Sequence, residues 1–103
     1  LDQQAVSTGD WVVTSNLGQL LKTNSSDYNL TLGQDAGVSL VSGEGQYNTA
    51  IGYQALKTAT SSDYNTAVGY RVLSNNTTGN QSTAVGYQAL NANTTGYNNN
   101  AFG

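Results

Sequence analysis

The chain has 103 residues and a formal net charge of −3, from three basic and six acidic side chains, with no histidine and no cysteine. Its basic residues, Lys22, Lys57 and Arg71, are scattered, so no basic patch offers a grip on phosphates and nucleic acid is not an expected partner. Without cysteine there is no disulfide framework or thiolate metal site, and without histidine no Ser-His-Asp or Cys-His device.

Charged residues make up 9% of the chain, against a globular norm of about 25%. Asn, Thr, Ser, Gln and Gly take their place. Low-complexity disorder would fit that composition, but the absence of proline and the regular return of apolar residues oppose it. No apolar run reaches the roughly 18 residues of a spanning helix, so membrane insertion is not expected. The chain begins at Leu1 and stops at "NNNAFG", part-way through a repeated phrase, which suggests a fragment of something longer.

Residues 1–14 form a lead-in that resembles nothing later in the chain. Trp11, within "TGDWVVTSN", is expected to plug the first coil or a subunit junction and so hide an open sheet edge. Residues 15–46 read as degenerate coils. They hold "SNLGQLL" (15–21) and "NLTLG" (29–33), and "LKTNSSDYN" (21–29) is echoed by "LKTATSSDYN" (56–65). Residues 47–103 repeat openly as "NTAIGYQAL" (48–56), "NTAVGYRVL" (65–73), "STAVGYQAL" (82–90) and "NNAFG" (99–103). Gly52, Gly69, Gly86 and Gly103 are 17 residues apart; Gly33 precedes Gly52 by 19, and Gly18 precedes Gly33 by 15. This makes about five coils.

A 17-residue unit is too short for a helical pair, which needs about 34 residues, or a propeller blade, which needs about 40. Thr, Asn, Ser and Gly are also poor helix formers. Two short strands and two turns, at about 3.3 Å per strand residue, account for the length. The fold class expected is therefore all-β: a parallel β-solenoid, or β-roll, of about five coils stacked roughly 4.8 Å apart.

Alternation along each strand puts Thr49, Ile51 and Tyr53 on one side and Ala50, Gly52 and Gln54 on the other. The column Leu32, Ile51, Val68, Val85 and Phe102, with Leu21, Leu56, Leu73 and Leu90 from the opposite limb, is expected to fill the coil interior. The small residues Ala50, Gly52, Ala67, Gly69, Ala84, Gly86, Ala101 and Gly103 would then lie outside as a subunit contact. In the reverse register, Ala and Gly fill a thin coil and Ile and Val meet at an axis. Both registers imply neighbours, because one short solenoid buries little apolar surface. Asn48, Asn65, Ser82 and Asn99 fall at one position of each coil and are expected to bond their own backbone and one another up the stack.

The phrase "NTAVGYQALNANTTGYNNNAFG" resembles the repeat of phage and giant-virus tail-fibre proteins. It is also similar to the shorter Ser-Val-Ala-Ile-Gly repeat in the heads of trimeric autotransporter adhesins. The resemblance covers residues 47–103 well, 28–46 loosely and 1–14 hardly at all. It implies a homotrimer of left-handed β-rolls in an extracellular fibre or adhesive head, with the Ala-x-Gly step at Ala50–Gly52, Ala67–Gly69, Ala84–Gly86 and Ala101–Gly103. It implies other fibre or baseplate proteins, and a host glycan or protein, as further partners. The 17-residue coil and the Tyr after each Gly depart from the adhesin pattern and favour the viral fibre.

Catalytic and metal chemistry finds no foothold in the pattern. Asp2, Asp10, Asp27, Asp35, Glu44 and Asp63 are too dispersed for a calcium loop or paired-carboxylate catalysis, so no cofactor and no enzyme are expected. Asp27 and Asp63 share the phrase Ser-Ser-Asp-Tyr-Asn and read as corner residues. Sequons such as Asn29-Leu-Thr, Asn76-Thr-Thr and Asn93-Thr-Thr are what chance supplies in so Asn- and Thr-rich a chain. Tyr53, Tyr70 and Tyr87 form one aromatic column, and Tyr47 and Tyr64 another. They could stack sugars, but packing over the coil edge with a wet hydroxyl explains them more simply. The function expected is a structural segment of a viral tail fibre or spike serving host attachment, with a bacterial adhesin head as the alternative. An ice-binding solenoid, suggested by the Thr49, Thr66 and Thr83 ladder, is the remote third reading.

Overall fold

The computed structural model describes residues 27–103 throughout and, ahead of them, the backbone of three strands. Eight strands form one sheet in chain order: β1 (Asp2–Ala5), β2 (Trp11–Ser15), β3 (Gly18–Asn24), β4 (Asn29–Leu32), β5 (Thr49–Ile51), β6 (Thr66–Val68), β7 (Thr83–Val85) and β8 (Asn100–Phe102). From β4 onward every neighbour is parallel, through four successive steps. The register keeps the repeat in line: Ala50 pairs with Ala67, Ala67 with Ala84 and Ala84 with Ala101. The chain is thus an all-β parallel solenoid with 17-residue coils.

The solenoid begins later than the glycine ruler implies. β1 to β4 form an antiparallel meander, and β3, which contains Gly18, runs against β4. The expected coil around Gly18 is therefore a hairpin strand. The local phrase "LKT" recurs there, but strand direction depends on the short β3–β4 connection, which can only reverse the chain. The side chains of Trp11 and Leu21 lie outside the described residues.

Parallel strands need a long crossover, often a helix. Here residues 52–65 and their equivalents make it from turns, whose backbone groups bond between coils. Ahead of each strand the bond runs to the preceding coil: Tyr47 N–H to Asp27 O at 2.9 Å and Tyr64 N–H to Gln46 O at 3.0 Å. Behind the strand it does so again, from Gly52 N–H to Leu32 O at 2.7 Å and Gln54 N–H to Gln34 O at 2.9 Å. On the far limb the sense reverses: Leu56 N–H reaches Val72 O at 3.0 Å and Thr60 N–H reaches Thr77 O at 3.1 Å, both one coil onward. Buried backbone groups are thereby satisfied without a helix.

This wrapping places non-glycine residues in the left-handed region at three positions of a coil: Tyr47 (φ 59°), Gln54 (58°) and Leu56 (52°), repeated at Tyr64 (60°), Arg71 (54°) and Leu73 (50°). Each costs about 1–2 kcal/mol, offset by the inter-coil bonds it aligns. The 17-residue glycines meet a stricter demand. A Cβ on Gly69 (φ 129°) would collide with the Gly86 carbonyl, and one on Gly52 with the Gly69 carbonyl.

The interior is built from small residues. Ala50, Ala55, Ala59, Ala67, Ala84, Val72, Leu56 and Leu73 are fully buried, with Ala36 and Ala89 nearly so; Leu90, Leu40 and Ala101 pack against them. This corrects the leading register. Leu32 and Phe102 are 38% and 78% exposed, and Ile51, Val68 and Val85 are only half-buried, so that column points out of the coil. Ala50, Ala67 and Ala84, expected as an outer contact, are sealed inside one chain. The reason is space: Leu56, Val72 and Leu73 already fill the same buried cluster, and a close-packed interior then favours alanine on the strand. The expected Leu56, Leu73 and Leu90 column does lie inside.

Candidate interaction face

Because Ala faces in, each strand presents its other two side chains outward. β5, β6 and β7 share one burial pattern, half-buried, buried, half-buried, which sets Thr49, Thr66 and Thr83 beside Ile51, Val68 and Val85. Parallel pairing carries both columns across the sheet without a register shift. The columns begin at Leu30 and Leu32 and end at Asn100 and Phe102.

Two aromatic ladders bracket these columns in sequence. Before the strands, Tyr28 stacks on Tyr47 with centroids 5.0 Å apart, and Tyr47 on Tyr64 at 4.9 Å, the rings within 5° of parallel. After them, Tyr53 stacks on Tyr70 at 5.4 Å and Tyr70 on Tyr87 at 5.3 Å. All six rings are exposed, from 39% at Tyr53 to 67% at Tyr87. Interior ring faces in each ladder are covered by other tyrosines, so a sugar laid along Tyr53, Tyr70 and Tyr87 would meet ring edges rather than faces. The geometry favours packing over sugar stacking as the role of these residues. None of the residues in the two ladders or the two columns is charged.

Charge returns at the margins. Asp63 stands immediately before Tyr64, and its Oδ1 accepts from Gln46 N–H at 2.8 Å. Arg71 stands immediately after Tyr70, half-buried, and its buried Nε has no hydrogen-bond partner among the described residues. In the sequence Asp63 stands out only as a corner residue and Arg71 only as one of three scattered cations. Their placement on opposite margins of one coil follows from the 17-residue wrap and could have been read from it.

Beneath the face the asparagine column forms as expected. Asn48 Oδ1 accepts from Asn65 N–H at 2.9 Å, Asn65 Oδ1 from Ser82 N–H at 3.0 Å, and Ser82 Oγ from Asn99 N–H at 3.2 Å. Each amide also ties its own coil: Asn48 Nδ2 donates to Ser62 O and Asn65 Nδ2 to Gly79 O. A second asparagine pair, not anticipated, sits beside the first, Asn76 and Asn65 both donating to Gly79 O. Asn76 and Asn93 donate to Gly79 O and Gly96 O within their coils, and Asn93 Nδ2 donates to Asn76 Oδ1 at 2.8 Å. The sequons at Asn29, Asn76 and Asn93 are spent in these networks, each Nδ2 already bonded to a carbonyl.

Compared with known proteins, the chain matches no protein family, no curated protein and no solved structure.

Proposed function

We propose that this chain is a rigid structural segment of a homotrimeric viral tail fibre or spike that serves host attachment, with the Thr and Ile/Val face turned toward its own copies. One observation carries the reading: residue size is inverted across the strand. Alanines fill the interior, while Ile51, Val68 and Val85 and two tyrosine ladders stand outward. Large side chains left outside on an uncharged face lose hydrophobic stabilisation unless something covers them.

A copy of the same chain is the natural cover. Its strands carry the same spacing, so each coil meets an equivalent coil along the whole stack. The resemblance of the repeat to tail-fibre phrases supports the same reading. As a structural segment the chain has no catalytic role.

The mass in solution tests the proposal. Light scattering on a sizing column should give about three times 10.7 kDa, with a denatured control at one. A folded monomer at all concentrations would overturn the trimer. Host-cell or matrix binding retained by this segment alone would favour the bacterial adhesin head instead.

A further inference from the structure

We propose that the two tyrosine ladders are sites of oxidative cross-linking, in which a one-electron oxidant joins neighbouring rings through their ortho carbons and staples each coil to the next. The bonds form within one chain, so they stand apart from the self-association proposed above.

The wrap delivers the rings ready to couple. Tyr28, Tyr47 and Tyr64 share one left-handed backbone conformation, with φ of 58°, 59° and 60°, so their side chains leave the coil in the same direction. Tyr53, Tyr70 and Tyr87 each follow a glycine of the 17-residue series, at φ of 121°, 129° and 123°. Centroids stand between 4.9 and 5.4 Å apart in all four stacked pairs, and no pair of ring planes departs from parallel by more than 14°. That spacing is the strand separation of a sheet, about 4.8 Å, handed on to the side chains. All six rings are exposed, which gives an oxidant access and leaves each phenol room to swing toward its neighbour.

The chemistry balances with an external oxidant, hydrogen peroxide acting through a haem peroxidase. Each phenol gives up one electron and one proton, leaving a phenoxyl radical whose spin is shared between the oxygen and the ortho carbons. Two such radicals couple carbon to carbon. The hydrogens on the joined carbons then shift to the oxygens as protons, restoring both phenols. The pair has lost two electrons and two protons, which reduce one hydrogen peroxide to two waters. Free in solution, two dilute radicals must meet; in a ladder the partner ring is already in contact, which raises its effective concentration.

The limits of the ladders sharpen the assignment. Gln81 takes the place after Tyr64, and Gln34 the place before Tyr53. The seventh tyrosine, Tyr97, stacks on no ring among the described residues, because Asn80 holds its place one coil earlier. Tyr97 is thus a built-in control. In a chain without cysteine, each coupled pair closes a loop of one coil and constrains the unfolded chain as a disulfide would.

Treating the dilute folded chain with peroxidase and hydrogen peroxide should produce blue dityrosine fluorescence and a loss of two hydrogens per bond, with the chain still single on a denaturing gel. Peptide mapping should place the bonds within the ladders. The double variant Tyr47→Phe, Tyr70→Phe keeps every stacked ring but removes the middle phenol of each ladder, leaving the outer phenols about 10 Å apart. Its yield of bonds within the chain should fall about tenfold or more, whereas Tyr97→Phe should leave the yield unchanged. Bonds mainly between chains, bonds mainly to Tyr97, or an undiminished yield in the double variant would overturn the proposal. So would a folded chain that forms no dityrosine where free tyrosine in the same mixture does. A monomeric chain that cross-links within its ladders would uphold the proposal and overturn the trimer alone.

Discussion

The side-chain carbonyl of Asn65 accepts the backbone N–H of Ser82, one coil onward, at 3.0 Å, while its amide donates to Gly79 O within its own coil at 2.9 Å. One buried side chain thus closes a turn and fixes the next coil's height. Asn65→Ala should cost about 2–4 kcal/mol, because it strands the buried Ser82 N–H as well as removing a bond. Asn65→Ser should cost less, since Ser82 itself carries the upward bond at the next level. Urea unfolding of the two variants against the parent checks the order.

Gly69→Ala should be among the most damaging single-atom changes available. Its Cβ would strike the backbone of Gly86, and the strand cannot retreat without opening the stack. A loss of about 4 kcal/mol or more is expected. Gly103→Ala, with no atom within 4 Å of the added methyl, should lose only the left-handed strain of about 1–2 kcal/mol. Thermal melts would separate the pair.

Interior and outer face should respond oppositely to similar changes. Ala67→Val adds volume where Ala67 is fully buried, and should destabilise the fold by about 1–3 kcal/mol. Val68→Thr keeps the shape of a half-buried outward residue, and should shift the unfolding midpoint little while weakening self-association. Denaturant titration and sedimentation on the same two variants distinguish the faces.

Much of this architecture is legible in the sequence. The glycines at 52, 69, 86 and 103 fix the coil length, and the Asn48–Asn65–Ser82–Asn99 column forms the ladder expected of it. The face assignment failed because β-branched residues normally go inside, and alternation separates two faces without saying which is buried. A signal was present nonetheless. Positions 50, 67, 84 and 101 are always Ala, while the matching outer column changes volume freely among Ile51, Val68, Val85 and Phe102. A tight interior does not tolerate such variation. The antiparallel start was hidden because a phrase can recur while the chain direction reverses.

Ser62 and Ala59 should prove coupled. Ser62 is fully buried with its hydroxyl unpartnered among the described residues, at a position where the next coils carry Gly79 and Gly96. In those coils an asparagine three residues earlier occupies the space a Cβ would need. Ala59→Asn alone should therefore destabilise by about 1–3 kcal/mol. Combined with Ser62→Gly it should restore the parent stability or exceed it, because the unsatisfied hydroxyl is gone. A double-mutant cycle in urea reads the coupling directly.

The tyrosine ladder should contribute in proportion to the neighbours each ring holds. Tyr47 lies between Tyr28 and Tyr64, and Tyr47→Ala should cost about 1–3 kcal/mol from two stacked pairs. Tyr47→Asn should cost less, since Asn accepts the left-handed backbone and Asn98 occupies the equivalent place. Thermal unfolding of both variants ranks them.

The inter-coil direction of the backbone bonds has a mechanical meaning. Load applied along the solenoid falls on one coil boundary at a time, so the molecule peels rather than shears. Each boundary that gives way frees 17 residues, about 58 Å of extended chain. Stretched from its ends, the regular part should lengthen in equal steps, a sawtooth whose tooth width is the repeat written in the sequence.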